Sequence, residues 1–321
     1  MADNAQVRRE NESLLRESLR GGAYSKNELA HRTGLSFPTV GRIVDDMVSR
    51  GEAAESGEAA STGGRCAMRY ALVPDFRLYL CLRLENRTLD WSVCDINGGA
   101  VERGEISCGN DILCDLDTLL MRVRARYPQL VAAAMGFAGS MMDGSVTVAF
   151  EPPELRGVNL KKHLSDILGL PAAAKRDMEL VAKGYAVRRM ARTVVCIYIG
   201  HAGMGAGIVL DGRVWSGAHG FAGEIHFLPI ENNLEYAENH FEGADMTAYC
   251  TSVVRSLAAL LDPECIVFYR APRFDGITER VRTACAALLP ASAMPEITLS
   301  NEWIEDYEAG LFATACEEGN A

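Results

Sequence analysis

A carboxylate and an imidazole stand two residues apart in Gly223-Glu224-Ile225-His226, a spacing that puts both on one face of an extended chain. The pair suits hydroxyl recognition, because a carboxylate accepts two hydroxyls and a neutral imidazole can donate or accept. Upstream, the apolar run from Val194 to Ile199 reads as a buried strand breaking into Gly200, Gly203, Gly205 and Gly207, where a backbone without Cβ atoms lets a ligand approach. Asp211-Gly212 then turns a second strand back as a hairpin. Glycine-rich turns between strands are common, so the order of the parts carries more than any one of them.

That order, a Gly-rich strand turn, a DG hairpin, a small-residue loop and then GEIH, resembles the second phosphate region and sugar-binding signature of the ROK family (repressor, open reading frame, kinase). The family comprises sugar kinases and sugar-responsive repressors on an actin-like fold. The resemblance implies a vestigial phosphate loop at Gly203, Gly205 and Gly207, and an effector site formed by Gly139, Arg176, Asp177, Glu224 and His226. Gly139 ends VAAAMGFAG, which is similar to the family's strand into a G-x-x-G turn. Asp177 takes the place of the kinase base, but Arg176 replaces the Asn that precedes it in the family. A guanidinium there is expected to pair with Asp177, lower its pKa and make it a poorer proton acceptor. It also favours an anionic ligand, such as a phosphorylated or acidic sugar.

Two parts of a ROK kinase are missing. The family's D-x-G-G-T turn is replaced by Arg83-Leu84-Glu85-Asn86-Arg87-Thr88, which puts no carboxylate at the Asp position and no glycine in the turn. Phosphoryl transfer needs a base, a phosphate cradle with its metal and a positioned hydroxyl, so no catalytic residue is expected. The cysteine-rich zinc signature that follows GEIGH in many members is absent too, and GEIH is one residue short. No metal and no cofactor are expected. The ten cysteines occur singly, without a C-x-x-C pair, and read as buried thiols.

Something must position such a cleft and give it a readout. Ahead of it, Ser25-Lys26-Asn27-Glu28 forms an S-x-x-E capping box opening a short helix. Thr33-Gly34-Leu35 makes a turn, and Ser36 caps a second helix with Pro38 in its first turn and an apolar stripe of Val40, Ile43, Val44 and Met47. These spacings fit a helix-turn-helix, and residues 10–65 resemble the winged helix-turn-helix of ROK repressors. The resemblance places Ser36, Phe37, Thr39 and Arg42 on base edges and Arg65, at the wing tip, on phosphates or the minor groove. A small helical domain that binds protein is the plainer alternative.

Charge agrees with a DNA-binding head on an acidic body. The net charge is −11, yet residues 1–70 hold 10 basic and 10 acidic side chains, so the whole excess lies beyond them. No run approaches the roughly 18 apolar residues needed to span a bilayer, and a cytoplasmic protein without a membrane partner is expected. From Tyr70 on, a strand, turn, strand, turn, strand pattern occurs twice about a hundred residues apart, reading as a duplicated lobe.

The fold expected is therefore α/β: an N-terminal winged helix-turn-helix (1–72), then a shortened two-lobed actin-like, ribonuclease H-like ROK domain with lobe 1 at 73–185 and lobe 2, with a C-terminal helix, at 186–321. The resemblance implies a regulator of carbohydrate-related genes, a repressor without enzyme activity, whose partners are a pseudo-palindromic double-stranded DNA operator, a small sugar or sugar-phosphate effector, and its own copies in a homodimer or tetramer. A ROK sugar kinase and a regulator whose ROK domain only dimerises stay open as alternatives.

Overall fold

The computed structural model describes residues 4–58, 67–142, 144–149, 152–200, 203–230, 244–269 and 276–320. The chain opens with α1 (Asn4–Leu19), β1 (Tyr24–Ser25), α2 (Lys26–Thr33), α3 (Phe37–Ser49), β2 (Ala53–Glu58) and β3 (Met68–Leu72). Local chemistry sets these bounds. The Ser25 hydroxyl accepts from the Glu28 N–H while the Glu28 carboxylate accepts from the Ser25 N–H, and Gly34 ends α2 at φ 71°. Ser36 caps α3, which buries Val40, Ile43, Val44 and Met47 against Leu15, Leu19 and Leu29. The three strands pair as β1-β3-β2. Beneath them Arg16 and Glu52, both almost fully buried, form an ion pair that Arg50 joins through Glu52 at 2.9 Å.

The remainder holds two five-stranded sheets with the same strand order. The first is built from β4 (Leu78–Glu85), β5 (Thr88–Cys94), β6 (Ala100–Ser107), β7 (Leu130–Phe137) and β10 (Ala172–Arg176); between them come α4 (Ile112–Arg126), the small β8 (Gly139–Met142) and β9 (Ser145–Ala149) pair, and α5 (Leu160–Leu168). After α6 (Asp177–Arg189) the second sheet follows: β11 (Val194–Gly200), β12 (Gly203–Leu210), β13 (Arg213–Val214), β14 (Cys265–Tyr269) and β15 (Glu296–Ser300), with α7 (Ala244–Leu261) and α8 (Ile277–Ala286) between strands and α9 (Trp303–Asn320) at the end. In each sheet three antiparallel strands are followed by two that join in parallel.

Strand alternation explains the layering. Leu78, Leu80, Leu82 and Leu84 of β4 face α4 and α5, while Tyr79 and Cys81 face the opposite way. The helix that follows each sheet covers the other one: α6 lies on β11 and β12, and α9 lies on β4 and β7. The two helices cross so closely that a Cβ at Gly184 would overlap the Asp306 carbonyl, and one at Gly310 the Leu180 carbonyl. At its far end α9 meets the head, where Asn320 bonds both Ser13 and Arg16, each at 3.1 Å. Among the described residues no helix is long and apolar enough to cross a membrane.

Three sequence expectations change here. Glu224 and His226 do not lie on a strand: Glu224 precedes a single 3-10 turn, Ile225–Phe227. Gly205 and Gly207 lie inside β12 rather than in a turn. Not all of the described thiols are buried, because Cys114 is exposed on α4. The wing tip, with Arg65 and Cys66, lies outside the described residues, as do His201 and Ala202 and the segment 231–243 in which a zinc signature was sought.

Candidate functional site

The end of β10 and the start of α6 carry Arg176 and Asp177 to the space between the sheets. Because Arg176 closes the strand and Asp177 opens the helix, their side chains leave the backbone in different directions, and no ion pair joins them. This overturns the expected pairing. The Arg176 guanidinium instead donates to Glu179 Oε1 from Nε (3.2 Å) and Nη2 (2.9 Å), to Glu224 Oε1 from Nη1 (3.1 Å) and to the Ala222 carbonyl from Nη2 (2.7 Å). It is 5% exposed and so is no solvated surface group. Its donors are largely committed, which removes the argument that a free cation here favours an anionic ligand.

Asp177 also departs from expectation, in the opposite direction. Burial pushes its carboxyl up to about 7; the Met178 N–H and Arg176 oppose that rise, while Glu85 and Glu224 add to it. Among the described residues its carboxylate accepts one hydrogen bond, from the Met178 N–H at 2.7 Å. Tyr307, on α9 and almost fully buried, brings a hydroxyl without a hydrogen-bond partner among the described residues, and burial raises its pKa, with Asp177 adding to the rise. The site is therefore rich in carboxyl groups.

Glu224 is the meeting point of the site. Its Oε1 also accepts from the Ser140 hydroxyl at 3.0 Å, and its Oε2 lies 3.5 Å from His226 Nδ1. Gly139 opens β8 next to Ser140, so Gly139, Arg176, Asp177, Glu224 and His226 do converge on one region. The loop that brings Glu224 in is fixed by Gly223 at φ 93°, where a Cβ would overlap the Ala206 carbonyl, and by the Ala206 N–H donating to the Gly223 carbonyl at 2.8 Å. Sequence reasoning missed Glu179, Ser140 and Tyr307. Glu179 was accessible, since an Arg and a Glu three apart at a helix start are a recognisable ion pair. Tyr307 gave no signal, because its place depends on α9 crossing from the other sheet.

The glycines read as a phosphate loop have another use. A Cβ at Gly207 would overlap the Met178 carbonyl, and one at Gly205 would crowd the Met178 side chain, so both admit α6 onto β12. Gly203 alone stays at the turn, paired with Gly200. In the first sheet, Asn86 and Arg87 close β4 onto β5 with φ 46° and 62°. Arg83 pairs with Asp90 (2.6 Å) and Glu85 (2.9 Å), and Arg87 bonds Glu154 and the Gly109 carbonyl. Among the described residues, no cluster of three or more His, Cys, Asp or Glu side chains is arranged to hold a metal.

A second surface lies on α3. Ser36, Phe37 and Arg42 are exposed and Thr39 is half-buried, all opposite the stripe that locks α3 to the core. Phe37 is 51% exposed. The acidic groups nearby are neutralised within the head: Asp45 pairs with Lys26 at 2.5 Å and Asp46 with Arg8 at 2.7 Å. Arg42 has no ion-pair partner among the described residues.

Comparison with known proteins places this geometry. Residues 108–251 match the model of the ROK family. The xylose repressor of Bacillus subtilis is 22% identical over 248 residues, covering 73% of this chain and 64% of that repressor, so the chain spans less than two thirds of the curated relative. The N-acetylglucosamine regulator NagC of Escherichia coli is 21% identical over 65% of this chain and 54% of its own length. Among solved structures, a ROK family transcriptional regulator described as a homologue of the E. coli MLC protein superposes with a TM-score of 0.74 at 17% identity, covering 98% of this chain and 97% of that one. The mixed α/β architecture is thus the actin-like ROK fold, and the family match itself covers residues 108–251.

Proposed function

We propose that this protein is a DNA-binding transcriptional regulator, a repressor of carbohydrate-related genes, whose ROK domain senses rather than phosphorylates. The observation that carries the proposal is the row of exposed Ser36, Phe37 and Arg42 with half-buried Thr39 on a capped helix whose opposite face is buried, with both neighbouring aspartates neutralised. In this reading residues 1–72 are a winged helix-turn-helix with α3 in the major groove and Arg65 on the wing, and the two ROK lobes run from 73 to 185 and from 186 to 321. A dimer then reads a pseudo-palindrome with half-sites one or two helical turns apart. The named relatives, a xylose repressor and an N-acetylglucosamine regulator, support the carbohydrate connection.

The cleft supports an effector role. Glu224 and His226 come from the second lobe, Asp177 and Ser140 from the first, so a small sugar or sugar phosphate held between them would set the angle between lobes. Differential contact of this kind is what allostery requires. The link to the head is material: α9 carries Tyr307 near the cleft and Asn320 against α1. A kinase role is disfavoured by the closed Asn86-Arg87 turn and by glycines committed to packing. DNase footprinting on the chain's own genomic DNA tests the proposal: protected paired half-sites are expected, and Arg42→Ala should weaken that protection by about 1–3 kcal/mol while relaxing base preference. Uniform protection of all DNA, or none, would sink it.

A further inference from the structure

We propose that Arg176 is a tethered occupant of the effector cleft, holding Glu224 where a sugar hydroxyl would bind and so closing the wild-type site to neutral monosaccharides. The inference rests on reading the cleft as the effector site. Arg176 belongs to the first lobe, at the end of β10, yet two of its bonds go to the second-lobe loop, at Glu224 Oε1 and the Ala222 carbonyl. One side chain thus joins the lobes, which is the task proposed for a ligand. One oxygen of Glu224 is already engaged when a polyol arrives: Oε1 accepts from Arg176 and Ser140, while Oε2 lies 3.5 Å from His226 Nδ1.

The exchange is unequal. A hydroxyl that displaced the guanidinium would replace a bond charged at both ends by one charged only at Glu224, and would leave a nearly fully buried cation without one of its two carboxylate partners. Glu179 fixes the other end of the lock. Itself 5% exposed, it takes two bonds from Arg176 and holds the guanidinium in place whether or not Glu224 is engaged. Shortening Arg176 to Asn removes the reach to the second lobe and frees Glu224.

The experiment compares wild-type protein with Arg176→Asn in thermal unfolding and calorimetric titration against xylose, glucose and N-acetylglucosamine. Wild type should show no shift and no heat with any of the three. Arg176→Asn should gain binding to at least one, with its melting temperature rising by about 3 °C or more when that sugar is near 100 times its dissociation constant. If the single variant does not unfold cooperatively, Arg176→Asn combined with Glu179→Gln, which removes the carboxylate left without its partner, carries the same comparison. Wild type binding any of these sugars as tightly as the variant would overturn the inference, and so would a cooperatively folded variant that binds none of them. Failure of the regulator reading itself would be seen separately, as loss of specific DNA binding by the wild type.

Discussion

In the first sheet β4 turns into β5 through Asn86 and Arg87, with charged side chains on either side; in the second, β11 turns into β12 between Gly200 and Gly203, with Gly205 and Gly207 following in the strand. Strand order and strand direction are the same in both, so the difference lies in what each surface must accept. The first sheet presents a closed, ion-paired turn, where Arg83 and Arg87 engage Glu85, Asp90 and Glu154. The second presents a smooth β12 onto which α6 settles through Met178. A duplicated fold thus preserves topology while each copy assigns its turns separately, and a glycine run that looks like ligand chemistry can be helix packing.

The largest expected effect tests that assignment. Gly207→Ala should destabilise the protein by about 3 kcal/mol or more, because backbone rather than a flexible side chain blocks the new methyl. Arg87→Ala in the opposing turn should cost no more than about 1 kcal/mol, as expected for a partly exposed ion pair. Urea unfolding of the two variants makes the comparison, and a neutral Gly207→Ala would return that glycine to a ligand role.

A smaller effect belongs to Asp177. Its folded-state pKa lies above its unfolded value, so the native state holds the proton more tightly, and stability is lost as pH rises from about 4 to about 7. Discounted for partial exposure, that loss is on the order of 2 kcal/mol. Asp177→Asn should remove it, leaving a flatter stability profile between about pH 4 and pH 7. An unchanged profile would mean that the carboxyl is solvated. The smallest expected effect is none at all: sugar-dependent ADP production should not exceed a protein-free blank, and production that disappears in Asp177→Asn would restore the kinase alternative.

Much of this was legible in the sequence, for local reasons. The Ser25 to Glu28 box, Gly34 and Ser36 fix their helices through bonds within three or four residues, and the Asp211-Gly212 hairpin closes on itself. The doubled strand pattern announced the two sheets. The roles of Arg176, Gly205 and Gly207 were not legible, because each depends on a partner far along the chain: Glu224 for the first, α6 for the others. Reading Arg176 against its sequence neighbour gave an ion pair with Asp177 and a lowered pKa. The strand-to-helix junction separates the two side chains, and burial then moves Asp177 the other way.

The central proposal is that an acidic, two-lobed ROK body carries a head that reads DNA through α3. Its most direct test is a competition measurement at physiological salt, in which purified protein partitions between fragments of its own genome and random DNA of equal length. At least one fragment should bind about a thousandfold or more tighter than random DNA, with that preference reduced in Arg42→Ala. Equal affinity for every fragment, unaltered by Arg42→Ala, would contradict the account and leave the head as a protein-binding helical unit.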